Sequence, residues 1–228
     1  MEAAAAPRPI TARAKDWFMW RAGPAISKLG ETLGVDALVY NPFLYYQFNE
    51  LARRNAPGVI GVITAQFPQA QTFIDVGCGA GMFAAQLGRV GKSAMACEYS
   101  PHGRAYAAKN GVQARPFDLT TKPPTDITER FDVAYCFEIA EHMPPDLGLN
   151  LVDFLIEKGR TIVFTAAQPG QEGTGHINEQ PREYWIERFV KAGATYDEAA
   201  TKALSEAFAA AKVSHWFPDN VSVFRTEA

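Results

Sequence analysis

The spacing of hydrophobic positions changes about seventy residues into the chain. Before that point, apolar residues recur at helical spacing in three stretches, at 16–38, 43–54 and 59–67. This spacing places apolar side chains on one face of a helix. After it, short runs rich in β-branched and aromatic residues alternate with longer amphipathic stretches. We therefore expect a helical extension at residues 1–70 and a domain of alternating strands and helices at residues 71–228.

The alternating part predicts a mostly parallel β-sheet. Its β-like runs are bounded by Gly, Pro and Asp and lie at 72–76, 93–98, 114–117, 131–137, 160–165 and 221–225. The helical stretches between them lie at 82–90, 101–110, 147–158, 181–192 and 196–211. Such alternation is typical of doubly wound α/β folds, whose sheet is covered by helices on both faces. These folds bind ligands at the carboxyl ends of the strands, where the strand order reverses.

The charge balance and the cysteine pattern narrow the class of protein. The 228 residues include 22 Lys and Arg against 25 Asp and Glu, a formal net charge of −3. Since a protein that holds long nucleic acid usually carries a basic excess, we expect no such partner. No apolar run approaches the roughly 18 residues of a membrane span, and the N-terminal residues lack the apolar core of a secretory signal. Cys78, Cys97 and Cys136 form no C-x-x-C pair, which favours reduced thiols and a cytoplasmic location.

A glycine-rich turn follows the first predicted strand. It reads Asp75-x-Gly77-x-Gly79-x-Gly81 and leads into a predicted helix. Glycines let the backbone turn tightly and approach a ligand closely, because no Cβ intervenes. The same glycines, followed by Ala84, are compatible with the dinucleotide loop of a nicotinamide-dependent dehydrogenase. Asp75 argues against that alternative, since its carboxylate would crowd a pyrophosphate but suits a cationic or amino-acid-bearing ligand.

The Asp-x-Gly-x-Gly-x-Gly pattern resembles motif I of the class I S-adenosylmethionine (SAM) methyltransferases. The resemblance covers about residues 70–165 and implies a Rossmann-like fold of that class, with SAM as the cofactor. It implies that the three glycines and Asp75 face the methionine and ribose part of SAM. It also implies that Glu98, at the end of the second strand, binds two ribose hydroxyls. Asp118 would contact the adenine amino group, and Phe137 belongs to the same predicted cofactor site.

A second constellation follows the fourth predicted strand. Glu138, Glu141 and His142 fall at positions i, i+3 and i+4, so they would share one face if the segment turned helically. A later glycine-rich stretch, 169–179, would present His176 over the same edge of the sheet. Two carboxylates with imidazole suit Mg²⁺, Mn²⁺ or Fe²⁺ more than structural zinc.

This order, Glu-x-x-Glu-His with a later His, resembles the metal-dependent small-RNA terminal 2′-O-methyltransferases. That resemblance implies that Glu138, Glu141, His142 and His176 hold a divalent metal that grips the vicinal 2′ and 3′ hydroxyls. Glu-x-x-Glu-His also appears in the ubiquinone-pathway catechol O-methyltransferases. The stretch 175–185 resembles bacterial methyltransferases of sugar and secondary-metabolite pathways. The RNA enzymes have a basic surface around their active site, whereas this chain is acidic. We therefore expect the metal chemistry of that family here, but not its RNA substrate.

The resulting expectation is a SAM-dependent O-methyltransferase, assisted by a divalent metal. Its acceptor would be a hydroxyl of a small molecule or sugar, in a vicinal diol or catechol. The catalytic residues would be Glu141, His142 and His176, with the N-terminal helices and the 170–175 loop as a lid over the acceptor. Three alternatives stay open: a metal-independent enzyme with His142 or His176 as general base, an RNA 3′-terminal 2′-O-methyltransferase, and a SAM-binding protein without catalytic activity.

Overall fold

Seven β-strands form one sheet with helices on both faces. The computed structural model describes residues 10–122 and 124–227, with the backbone alone at 10–16, 36 and 37. The strands are β1 Thr72–Val76, β2 Ser93–Glu98, β3 Arg115–Pro116, β4 Phe131–Phe137, β5 Gly159–Thr165, β6 Thr195–Tyr196 and β7 Ser222–Arg225. The helices are α1 Ile10–Leu33, α2 Asp36–Val39, α3 Pro42–Gln66, α4 Met82–Arg89, α5 Pro101–Lys109, α6 Pro145–Lys158, α7 Arg182–Lys191, α8 Glu198–Ala210 and α9 Trp216–Asn220.

The strand order is β3-β2-β1-β4-β5-β7-β6. The five strands β1 to β5 pair in parallel, whereas β7 runs antiparallel to both β5 and β6. The chain therefore winds outward from β1 in one direction and from β4 in the other. This confirms the predicted doubly wound, mostly parallel sheet. It also places the reversal of strand order between β1 and β4, where ligands bind in folds of this type.

The side chains of the central strands alternate between two hydrophobic layers. In β4, Ala134 and Cys136 face one layer, while Val133 and Tyr135 face the other. The first layer is completed by α6 and α7, and the second by α3, α8 and α9. Because both faces of the parallel strands are covered, these strands are apolar on both sides, as their sequences predict.

Helix α3 differs from the prediction, which divided it into helices at 43–54 and 59–67. The helix is continuous from Pro42 to Gln66 and contains Pro57. A proline inside a helix costs about 3 kcal/mol, since it removes a backbone hydrogen bond and crowds the preceding turn. The helix continues because Val59, Ile60 and Ile63 are completely buried in the second layer. Tertiary packing thus outweighs the cost of Pro57, and the second half of α3 belongs to the second hydrophobic layer against the sheet.

The structure contains short elements that the sequence analysis did not identify. Strand β6 has two residues and pairs with β7 at only two positions, and α9 has five residues. Helix α8 begins at Glu198 because the preceding Tyr196 belongs to β6. Elements this short carry no measurable periodicity, and their conformation depends on pairing with distant segments.

The described residues bear on two further expectations from the sequence. No helix within 10–122 and 124–227 combines the length and the apolar composition that crossing a bilayer requires. Cys78, Cys97 and Cys136 are buried free thiols. Residues 1–9, which belong to the predicted extension and to the segment tested for a secretory signal, lie outside the described residues. The boundary at residue 70 stays a prediction.

Asn41 joins the three N-terminal helices. Its side-chain oxygen accepts hydrogen bonds from the first two free amides of α3, at 3.0 and 3.1 Å, and so caps that helix. Its amide nitrogen donates to Ser27 Oγ at 2.9 Å and to the Gly23 carbonyl at 3.2 Å, both on α1. Ser27 in turn donates to the Val39 carbonyl of α2 at 2.7 Å. One buried amide group therefore fixes α1 and α2 to the start of α3.

Replacing Asn41 with Ala should lower the free energy of unfolding by about 2 kcal/mol, measured by urea denaturation. The variant removes the cap of α3 and the buried hydrogen bonds that Asn41 donates to Ser27 Oγ and the Gly23 carbonyl. Thr32→Ala on the exposed face of α1 is the control, and it should change stability by less than about 0.5 kcal/mol. Equal stability of the two variants would contradict the central role of Asn41.

Candidate active site

The glycine-rich loop connects β1 to α4 at the carboxyl edge of the sheet. Gly77, Gly79 and Gly81 all have positive φ, at 76°, 53° and 71°. A Cβ added at Gly77 would lie 2.7 Å from the Ile139 side chain, and one at Gly81 would lie 3.0 Å from Ala107. The left-handed backbone and the close packing thus both require glycine at these two positions.

Glu98 is bound directly to this loop. Its Oε2 accepts a hydrogen bond from the Gly79 amide at 2.8 Å. Its Oε1 accepts from the Ser100 amide at 2.7 Å and from the Tyr45 hydroxyl at 3.2 Å. Burial raises the pKa of this carboxyl, while the three donors lower it. The predicted ribose-binding acid therefore lies beside the predicted cofactor glycines, under a tyrosine from α3.

Asp75 is buried in β1 below the loop. Its Oδ2 has no hydrogen-bond partner among the residues that the structure describes. Burial raises the pKa of Asp75 to about 7, although the nearby Tyr135 hydroxyl and Ala84 amide lower it part of the way. The carboxyl is therefore divided between its protonated and ionised forms near neutral pH.

Asp118 and Phe137 occupy the ends of two other strands. Asp118 follows β3, and its Oδ1 accepts from the amide and the hydroxyl of Thr120, at 2.9 and 2.6 Å. Phe137 ends β4 and is held edge-on by Phe83 and Phe217, with ring centroids 5.4 Å away in each case. Both residues lie after or at the carboxyl end of their strands, as predicted, and their cofactor contacts stay predictions.

Glu141, His142 and His176 come together beside the cofactor loop. Glu141 and His142 belong to a 3₁₀ turn, Ala140–His142, that follows β4. His176 belongs to the loop between β5 and α7. One potential ligand atom from each residue lies within 4.8 Å of the others. Three of the four predicted metal ligands thus form one group.

The two imidazoles are oriented by hydrogen bonds from Nδ1. His142 Nδ1 lies 3.2 Å from the Gly175 carbonyl, and His176 Nδ1 lies 2.8 Å from Glu179 Oε1. Because both partners are acceptors, Nδ1 carries the proton in each neutral ring and Nε2 keeps its lone pair. Removal from solvent, with a smaller effect of His176, lowers the pKa of His142 to about 4. His142 is therefore neutral at physiological pH.

Gly173 leaves space beside the second imidazole. A Cβ added at Gly173 would fall directly on His176 Nε2. The residue has an exposed backbone, and its φ is not in the left-handed region. Glycine at this position is thus explained by the space that the His176 ring takes up and not by the backbone conformation.

Glu141 is an unpartnered carboxylate. It is 0% exposed, and neither oxygen has a hydrogen-bond partner among the described residues. Burial raises its pKa strongly and the charge of Glu138 raises it further, while the nearby backbone amides of Glu141 and Ala167 lower it part of the way. A buried carboxylate without donors is unstable unless a proton or a cation compensates it. Together with one nitrogen from each imidazole, it forms a donor set of two nitrogens and one carboxylate that fits a divalent cation.

Glu138 is placed differently from the other three residues. It has a left-handed conformation, with φ 54°, and the turn begins only at Ala140, so the predicted shared helical face is not formed. Its carboxylate accepts from the Gln171 amide at 2.6 Å and from the Asn220 amide at 3.0 and 3.3 Å. Its oxygens are therefore already hydrogen-bonded to protein, and its role as a metal ligand stays a prediction.

The site also contains residues that the sequence analysis missed. Glu179 accepts from the Gly170 amide at 2.9 Å as well as from His176, so it fixes both ends of the loop. Glu31 of α1 accepts from the Gly175 amide at 2.7 Å, and the Tyr40 ring lies edge-on to His142 at 6.0 Å. The acid three residues after His176 was a usable signal for Glu179. No local pattern marks Glu31 or Tyr40, which come from a distant part of the chain.

The raised pKa of Asp75 predicts a pH-dependent stability. Between about pH 4 and pH 7 the unfolded chain loses this proton while the folded chain keeps it, so the free energy of unfolding falls as pH rises. Asp75→Asn removes this effect. The free energy of unfolding of the variant, relative to that of the unmutated chain, should therefore rise by up to about 4 kcal/mol from pH 4 to pH 8. Urea unfolding across this range measures it. The control variant Asp153→Asn, on the exposed face of α6, should show the same dependence of stability on pH as the unmutated chain. The same dependence in Asp75→Asn would refute the raised pKa of Asp75.

Comparisons with known proteins agree with this geometry. A methyltransferase domain family model matches residues 48–199. Ubiquinone biosynthesis O-methyltransferase from Alkalilimnicola ehrlichii is 26% identical over 134 residues, which are 56% of this chain and 49% of that protein. The same enzyme from Cereibacter sphaeroides is 24% identical over 149 residues, covering 59% of this chain and 56% of that one. The chain thus spans about half the length of the curated relatives it matches.

A solved structure supports the fold. An O-methyltransferase family protein from Burkholderia thailandensis superposes with a TM-score of 0.63 at 14% identity, over 96% of this chain and 71% of that one. Since the family model covers more than half of the sequence, and the sheet is doubly wound and mostly parallel as the resemblance implied, the chain belongs to the class I SAM-dependent methyltransferases.

Proposed function

We propose that this protein is an O-methyltransferase that transfers the methyl group of SAM to a hydroxyl of a small molecule. We further propose that Glu141, His142 and His176 hold a divalent cation, Mg²⁺, Mn²⁺ or Fe²⁺, beside the acceptor. The observation that carries the proposal is the fully buried Glu141 carboxyl group, which has no hydrogen-bond partner among the described residues and lies next to two imidazoles hydrogen-bonded through Nδ1. A cation at this position would polarise the neighbouring hydroxyls of a diol or catechol and lower their pKa.

Residues of the chain itself align the methyl donor with the acceptor. The methyl group of SAM is already electrophilic, so the protein mainly needs to place donor and acceptor within reach of each other. The glycine-rich loop follows β1, and the group of Glu141, His142 and His176 lies after β4 and β5. Because β1 and β4 are adjacent in the sheet, the two halves of the site meet at one edge. Tyr40 and Glu31 approach this edge from the N-terminal helices.

Glu179 positions His176. A carboxylate that accepts from Nδ1 fixes the tautomer of the imidazole and makes Nε2 a better electron donor. His142 is neutral as well, since its removal from solvent and the neighbouring His176 lower its pKa to about 4. The group therefore presents lone pairs rather than protons.

The charge of the site favours a neutral or cationic acceptor. Four carboxylates, those of Glu31, Glu138, Glu141 and Glu179, surround it, and none forms an ion pair with Lys or Arg in the part of the chain that the structure describes. A polyanionic acceptor such as the 3′ end of an RNA would be repelled, because phosphate contacts normally require basic side chains. The name of the curated relatives favours oxygen as the acceptor atom. We therefore propose a small vicinal diol or catechol.

A second candidate is a metal-independent enzyme with a histidine base. The His176–Glu179 pair favours it, since a base oriented by a carboxylate is the usual arrangement for removing a hydroxyl proton. In that case His176 is the base, because the pKa of His142 is about 4, too low for an effective base.

Methyl transfer from SAM to a panel of acceptors distinguishes these functions. The panel contains a catechol, a sugar with vicinal hydroxyls, the matching monohydroxyl compounds and a short RNA, each with Mn²⁺, with Mg²⁺ or with chelator. Transfer to diols that stops with chelator supports the metal-assisted enzyme. Transfer that continues with chelator supports the histidine base, and transfer to RNA alone would overturn the proposed acceptor class.

Glu141→Gln should abolish Mn²⁺ binding while leaving S-adenosylhomocysteine binding unchanged, as measured by calorimetry. Changes to residues that merely orient metal ligands typically weaken metal affinity by about 10- to 100-fold, so losing a ligand should exceed that range. Glu183→Gln, on the exposed start of α7, is the matched control and should bind both ligands normally. Normal Mn²⁺ affinity in Glu141→Gln would refute the proposed ligand group.

Gly173→Ala should reduce methyl transfer by at least about 10-fold, because the added methyl covers His176 Nε2. Binding of S-adenosylhomocysteine should not change, since the loop at 77–81 is untouched. Gly61→Ala is the control, as a Cβ there meets no atom within 4 Å. Equal transfer rates for the two variants would show that Nε2 of His176 is not used.

A further inference from the structure

Tyr45 lies in the second turn of α3, against the predicted ribose-binding acid. It is 5% exposed, and its hydroxyl donates to Glu98 Oε1 at 3.2 Å. A Cβ added at Gly103 of α5 would lie 2.8 Å from both the Tyr45 ring and the Glu98 carboxyl carbon. The tyrosine, the acid and the glycine therefore form one closely packed contact. The sequence offered no reason to connect Tyr45 with the cofactor, since 53 positions separate it from Glu98.

The hydrogen bonds of Glu98 are almost complete without a ligand. A carboxylate has about four acceptor positions, two on each oxygen. Oε1 uses both of its positions, for the Ser100 amide and the Tyr45 hydroxyl, while Oε2 uses one, for the Gly79 amide. A ribose that donates both vicinal hydroxyls to Glu98 needs one position on each oxygen. Oε2 can provide it, and Oε1 cannot unless one donor leaves.

Of the two donors on Oε1, the tyrosine is the one that can leave. The Ser100 bond is 2.7 Å long and belongs to the backbone that caps α5, whereas the Tyr45 bond is longer at 3.2 Å and depends on a side chain. Moving the Ser100 amide would disrupt the start of α5. The Tyr45 hydroxyl takes no part in the caps of α3 and α5, so its departure from Glu98 leaves both caps in place.

We infer that Tyr45 sets the affinity for SAM, because its hydroxyl occupies the position on Glu98 that a ribose hydroxyl takes. SAM binding then exchanges one hydrogen bond to Glu98 for another, and part of the ribose binding energy is used to displace Tyr45. This inference rests on the proposed cofactor role of Glu98. It adds a residue of the N-terminal helices to the cofactor site.

Calorimetry with S-adenosylhomocysteine tests the inference. Tyr45→Phe keeps the ring packing but removes the competing hydroxyl, so the affinity should increase by about 3- to 10-fold. Tyr196→Phe, on β6 at the far edge of the sheet, is the matched control and should leave the affinity unchanged. Unchanged or weaker binding in Tyr45→Phe would overturn the inference, since weaker binding means that the hydroxyl supports Glu98 rather than competing for it.

A second ligand and a second variant distinguish an error about Tyr45 from an error about the cofactor role of Glu98. The analogue of S-adenosylhomocysteine without ribose hydroxyls does not need the Tyr45 position, so Tyr45→Phe should not bind it more tightly. Glu98→Gln should weaken S-adenosylhomocysteine binding by at least about 10-fold, because hydrogen bonds to a charged acceptor are lost. If Glu98→Gln binds normally, the cofactor role of Glu98 is wrong and the inference is overturned with it. If only Tyr45→Phe fails to tighten binding, the cofactor role stands and the inference alone is wrong.

Discussion

The parallel pairing of β1 with β4 is the constraint on which the rest of the site depends. The register places Asp75 opposite Tyr135, so both strands end at nearly the same height. The chain leaves β1 through the glycine-rich loop and leaves β4 through Glu138 and the 3₁₀ turn. A donor held by one loop and an acceptor held by the other would then be neighbours. This geometry follows from strand order alone, because the order reverses between these two strands.

The edge formed in this way contains buried acidic side chains that the protein satisfies to different degrees. Asp75, Glu98 and Glu141 are all at most 6% exposed, and burial raises the pKa of each. Their compensation differs: Glu98 receives three hydrogen bonds, whereas Glu141 receives none in the described residues. Unsatisfied carboxylates of this kind lower the stability of a fold and are typical of functional sites. The contrast between the two residues separates a carboxyl group that is hydrogen-bonded to protein from one that has no hydrogen-bond partner among the described residues.

The sequence predicted the sheet, the glycine-rich loop and three members of the acid and imidazole group, because each depends on local spacing. It failed where distant segments decide the structure. Pro57 indicates a helix end locally, but burial of Ile60 and Ile63 keeps α3 continuous. The spacing of Glu138 and Glu141 suggested a common face, but Glu138 is turned aside in a left-handed conformation. Its partners Gln171 and Asn220 are 33 and 82 positions away, and no periodicity could reveal them.

The start of α3 links the cofactor and acceptor halves of the edge. Tyr40 precedes the helix and contacts His142, while Tyr45 lies in its second turn and contacts Glu98. Asn41, between them, fixes this segment to α1. Both contacts come from the same short segment, so a ribose that displaced Tyr45 would act on the residues that also hold Tyr40 against His142. The two halves of the edge are thus joined through residues 40–45 as well as through the sheet.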